Sequence, residues 1–77
     1  MAGFRIWGRV EHVGPNEFFV VATAVPENGD PADVHTLTEI HASPESARHA
    51  LEVVVIRVGA IVHRIGGTVC DVETGGL

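Results

Sequence analysis

Ser43-Pro44-Glu45 and Gly66-Gly67 constrain this chain most, because they read as the start and stop of one long helix. A serine at the N-cap accepts the unpaired amides of a first turn. Proline is tolerated at the first helical position, and glutamate suits the positive end of the helix dipole. Two glycines supply a left-handed stop at the other end. A helix is therefore expected over about residues 44–65, roughly 33 Å at 1.5 Å per residue. Taken alone, the β-branched run Val53–Val58 would pass for a strand. Such residues cost only a few tenths of a kcal/mol each in a helix, and Gly59 is the only breaker between the two signals.

A helix this long must bury its apolar stripe against other elements, and the rest of the chain reads as strands. From Gly3 to Val13, Phe4, Ile6, Gly8 and Val10 alternate with Arg5, Trp7, Arg9 and Glu11, which predicts a strand over about 3–13. Gly14-Pro15-Asn16-Glu17 is a turn, and Phe18–Val25 a near-continuous apolar, β-prone run, so the two strands make an antiparallel hairpin. The second strand, about 18–25, is apolar on both faces and belongs in the middle of a sheet or under a second layer. Pro26–Asp33 is a loop, and residues 34–42 form a third strand. On that strand Thr36, Thr38 and Ile40 face one way, and His35, Leu37, Glu39 and His41 the other. A last strand is expected over 68–73, with Thr74–Leu77 as a frayed tail. The fold class is α+β: an antiparallel sheet of three to four strands with one long helix packed on one face, in the order β-β-β-α-β, as a single domain over 1–77.

At one residue every 100°, Ala47, Ala50, Leu51, Val54, Val55, Val58, Ile61, Val62 and Ile65 share an apolar arc. Glu45, Arg48, His49, Glu52, Gly59 and His63 lie opposite, with Ile56 misplaced among them and Val53 and Ala60 beside it. The bland reading is scattered surface apolars, which are common; the sharper one is a strip for a partner. On the sheet, Trp7 points away from the helix between Arg5 and Arg9, a setting that suits a protein–protein hot spot. The competing reading folds Trp7 over the edge of its own core. Chains below about 70–80 residues seldom bury enough core alone and usually need a disulfide, a metal or a partner subunit. With one cysteine in 77 residues, an internal disulfide is impossible.

Ten acids against five arginines and no lysine give a net charge of −5. That balance excludes a basic nucleic-acid footprint and argues against an anionic membrane surface. The N-terminus carries no export-type signal, and a free cysteine suits the reducing cytosol, so a cytoplasmic location is expected. Five histidines (12, 35, 41, 49 and 63) are many for this length, but neighbours sharing a face are about 20 Å apart on their strand or helix. Chelating pairs are therefore absent, and no metal or cofactor is implied. Titrating all five would cancel the −5 charge, so self-association could respond to pH. Cys70 reads as a small buried hydrophobe unless a histidine meets it in space. Glu27, Asp30 and Asp33 read as a solvated acidic loop lacking the calcium-loop ligand pattern. Phosphate-loop, dinucleotide, nucleophile-elbow and zinc-protease motifs are missing.

The element order is similar to that of HicB-type antitoxin domains. Their glycine-rich first hairpin and Pro-x-Leu-Pro-Gly-Cys run before the helix have no counterpart here, so the sequence assigns no family. Three functions are weighed. The first is a homo-oligomeric interaction or structural module, most simply a homodimer, assembling through Trp7, Phe19 and Val21 or through Val53, Ile56 and Ala60. The second is a small-ligand or hetero-partner module that uses the same sheet face, with Arg5, Arg9 and His12 as an anion-holding rim. The third is an enzyme working through Cys70 or a histidine, with no catalytic residue assigned.

Overall fold

Alternation decides the first strand. In a computed structural model of the chain, which describes residues 3–76, β1 spans Gly3–Gly14 and buries Phe4, Ile6, Gly8 and Val10, leaving Arg5, Trp7, Arg9 and Glu11 exposed. A tight turn at Pro15-Asn16 leads into β2 (Glu17–Pro26), paired antiparallel to β1 with Trp7 opposite Thr23 and Arg9 opposite Val21. β2 buries Phe18, Val20, Ala22 and Ala24, while Phe19, Val21, Thr23 and Val25 stay half-buried on its other face. β3 (His35–His41) pairs antiparallel with β2.

The helix start and stop behave as their chemistry dictates. Helix α1 spans Pro44–Arg64, and the Oγ of its N-cap, Ser43, accepts the Ser46 amide at 3.2 Å. At the far end Gly66, at φ 84°, donates to the His63 carbonyl, and Gly67 donates to Val62. That pattern is the Schellman arrangement, which needs the left-handed conformation at its first glycine. The β-branched run Val53–Val58 is helical, as its flanking signals require. Ala47, Ala50, Val54, Val58 and Val62 pack on Phe4, Ile6, Val10, Phe18 and Val20 to make the core. Gly8 permits the helix to approach β1 closely: a Cβ there would lie 2.8 Å from Val55 Cγ2 and 2.9 Å from Leu51 Cδ1.

The sheet departs from the expected antiparallel one. Its order is β3-β2-β1-β4, and β4 (Thr68–Gly75) runs parallel to β1, so the sheet is mixed. Two antiparallel pairings make β3 run with β1. The helix then returns the chain to the starting end of the sheet, so the next strand runs parallel to β1, as crossover connections require. β4 also includes Thr74 and Gly75, placed in the sequence reading with a frayed tail; Leu77 lies outside the described residues. Pro31–Asp33, expected as plain loop, is a turn of 3-10 helix. Asp30 caps it, accepting the Ala32 amide at 3.0 Å, and Asn28 accepts the Asp30 amide at 2.9 Å.

Four strands cover about 19 Å at 4.8 Å spacing, and one helix is only about 10 Å across. α1 lies over β1, β2 and β3, and every residue of β4 is exposed. Two surfaces therefore remain uncovered: the whole far face of the sheet, and the helix side of β4.

Candidate functional site

Strand parity builds the far face. It carries Arg5, Trp7, Arg9 and Glu11 from β1, Phe19, Val21, Thr23 and Val25 from β2, and Thr36, Thr38 and Ile40 from β3. Parallel pairing of Arg5 with Asp71 and of Trp7 with Glu73 puts both acids on the same face. Trp7 is 54% exposed and Ile40 66%, large values for bulky apolar side chains on a sheet. Across the face, Ile40 stands opposite Phe19, Val21 opposite Thr38, and Thr23 opposite Thr36, whose hydroxyls are 3.2 Å apart. An open depression of about 510 Å³ runs beside Trp7, Arg9, Val21, Thr23 and Glu73. Apolar groups occupy the β2–β3 side, and charges of both signs occupy the β1–β4 side.

Comparison with protein-family models, with curated proteins and with solved structures finds no match to this chain. Function must be argued from the geometry.

The anion rim is split by that geometry. His12 belongs to the even-numbered, helix-side row of β1 and stacks on Phe18, with ring centroids 4.5 Å apart. It does not join Arg5 and Arg9, which lie on the opposite face. Arg9 Nη1 donates to Glu11 Oε1 at 2.9 Å, and Asp71 and Glu73 flank the two arginines. An exposed pair of this kind contributes at most about 1 kcal/mol. Its effect here is to lower the positive potential an anion would meet.

The helix strip is exposed as placed from the sequence: Ile56 is 71% exposed, and Val53 and Ala60 also face outward. The uncovered side of β4 adds a surface that sequence reasoning missed. Val69 and Val72 remain exposed there, and an open groove between β4 and α1 is lined by Leu51, Val55, Ile56 and Thr74, with Arg48 and Glu52 at its rim. Sheet width against helix width was the signal available for it.

Cys70 corrects the buried reading. It stands exposed on β4, beside the bulge that shifts the β1–β4 register, with Glu27 and its Sγ both crowding the space above Gly3. Hydrogen bonding to Glu27, then desolvation and the Glu27 charge, push its thiol pKa above the ordinary value. The Phe4 backbone and the Arg5 charge act in the opposite direction. No histidine is bonded to it among the described residues. Among those residues, no three His, Cys, Asp or Glu side chains gather as metal ligands, and no helix is long and apolar enough to cross a membrane.

Another cluster passed unnoticed in the sequence. His41 Nε2 lies 2.8 Å from Glu39 Oε1, and His41 Nδ1 lies 2.6 Å from Ser46 Oγ. Glu39 and His41 share the helix side of β3, and only Ala42 and Ser43 separate that strand from the helix carrying Ser46. Glu-x-His at a strand end, followed shortly by a helix start containing serine, was the available signal.

Proposed function

We propose that this chain is a self-associating interaction module of a reducing, cytoplasmic setting, whose working surface is the uncovered face of the sheet. The observation that carries the reading is Trp7, 54% exposed at the centre of that face, with Phe19, Val21 and Ile40 forming apolar surface on one side of it. A patch with a large aromatic at its centre and polar groups at its rim is the usual anatomy of a binding surface.

The partner we propose is a second copy. Arg5 and Arg9 stand in one column, and Asp71 and Glu73 in the neighbouring one, so the face presents both signs of charge to a copy of itself. A two-fold arrangement can then set cations against acids around an apolar centre. Edge-to-edge growth through β4 is less favourable. Two antiparallel β4 strands would bring four carboxylates together on one side of the seam, and facing like charges are the usual protection of a sheet edge.

Trp7 emission during serial dilution tests the reading. Self-association through this face predicts a red shift as the indole enters water, at constant far-UV circular dichroism. Emission that stays unchanged on dilution but responds to small anions would replace this reading with the ligand-binding one.

A further inference from the structure

We infer that Ser46 is a nucleophile activated by His41 and Glu39, able to take an acyl group from small activated carboxylic esters. The inference rests on the Ser46–His41–Glu39 chain alone and is independent of the sheet face.

The hydrogen-bond chain has a forced polarity. An ionised carboxylate only accepts, so the 2.8 Å contact with Glu39 places the imidazole proton on Nε2. In the neutral ring Nδ1 then carries the lone pair, and the 2.6 Å contact makes it the acceptor of the Ser46 hydroxyl proton. This is the ordering a hydroxyl nucleophile needs: hydroxyl to base, base to an orienting acid. Arg57 Nη1, 3.9 Å from Glu39 Oε2, stands beside the other carboxylate oxygen. Ser46 is exposed, in the first turn of α1, where the helix dipole favours developing negative charge. The site is open and unenclosed, which suits a small ester with a good leaving group, not a peptide.

The chemistry balances without a further reagent. Ser46 Oγ attacks the ester carbonyl carbon while its proton passes to His41 Nδ1. The tetrahedral adduct collapses, the C–O bond to the leaving group breaks, and the departing oxygen keeps the electron pair. His41 Nδ1 gives up its proton to that oxygen or to water, leaving an acyl-Ser46. Water then attacks the acyl carbon, passing a proton to His41. The carboxylic acid leaves as His41 returns the proton to Ser46 Oγ. Ser46 and His41 are the reacting groups, and Glu39 is a positioning residue.

The test uses p-nitrophenyl acetate on the full chain carrying Cys70→Ala, which removes the competing thiol. The adduct is located by peptide mass spectrometry. The expected result is acetyl on Ser46 and none on Ser43, the neighbouring cap hydroxyl that lacks a base. His41→Gln is expected to slow Ser46 acetylation on the order of 100-fold, with the circular dichroism spectrum unchanged. Glu39→Gln, which puts an amide able to donate to the ring in place of a group that only accepts, should slow Ser46 acetylation and leave Ser43 labelling unchanged, with Glu39→Asp restoring part of the rate. A purely structural role would affect both serines alike. Should His41→Gln fail to fold, selectivity for Ser46 over Ser43 in the parent protein still decides the matter. Unmodified Ser46, or equal labelling of Ser43 and Ser46, overturns the inference.

Discussion

Trp7 and Thr23 are paired across the two central strands, on the face of the sheet that no helix covers. The pairing gives the indole a small neighbour and leaves its ring proud of the surface. Trp7→Ser should therefore change folding stability by no more than about 1 kcal/mol, as a surface substitution does. If Trp7 is the hot spot of a dimer, the same change weakens self-association by at least about 2 kcal/mol, roughly 30-fold. Thermal melts and a dilution series on the same sample separate the two effects. A large stability loss without a change in association would assign Trp7 to its own core.

Ile56 lies on the outer arc of α1, remote from the uncovered sheet face. Ile56→Asp discriminates between the two candidate surfaces. With the sheet face as the interface, the dissociation constant should stay within about 0.5 kcal/mol of the parent. Loss of the dimer on this change alone would move the interface to the helix strip.

Gly66 holds the helix stop at φ 84°. Alanine there pays the steric cost of the left-handed conformation, and a loss of about 1 kcal/mol is expected from denaturant unfolding. Ser43→Ala removes the cap of the Ser46 amide and should cost a similar amount. A neutral result at both positions would mean that packing alone, without its caps, sets the ends of α1.

Cys70 gives a pH dependence with a definite sign. Its thiol pKa is raised in the folded chain, first by hydrogen bonding to Glu27, so the protonated form is favoured by folding. The linked contribution is present below the unfolded-chain value and is lost as pH rises through the raised one. Alkylation by iodoacetamide at mildly alkaline pH should accordingly run slower on the folded protein than on the unfolded chain. Glu27→Gln should restore part of the rate. Equal rates for the two states would remove Glu27 from any role at this thiol.

Local chemistry made much of the fold legible. The Phe4/Ile6/Gly8/Val10 alternation fixed the buried face of β1, and Ser43 and Gly66 bracketed α1 to within a residue of its ends. His12 was legible too, since its even position puts it in the same row as Val10; its grouping with Arg5 and Arg9 conflicted with that alternation. The parallel pairing of β4 was not legible, because nothing within Thr68–Gly75 encodes its neighbour. That pairing follows from where the helix delivers the chain. The Ser46–His41–Glu39 cluster depended likewise on a junction of only two residues between β3 and α1, a boundary that periodicity does not resolve.

Sedimentation velocity across the micromolar range, on the parent chain and on Trp7→Ser in parallel, tests the central claim most directly. The account predicts a concentration-dependent monomer–dimer equilibrium for the parent and a Trp7→Ser protein that stays folded and monomeric. A parent chain that is stably folded and strictly monomeric throughout that range would contradict it.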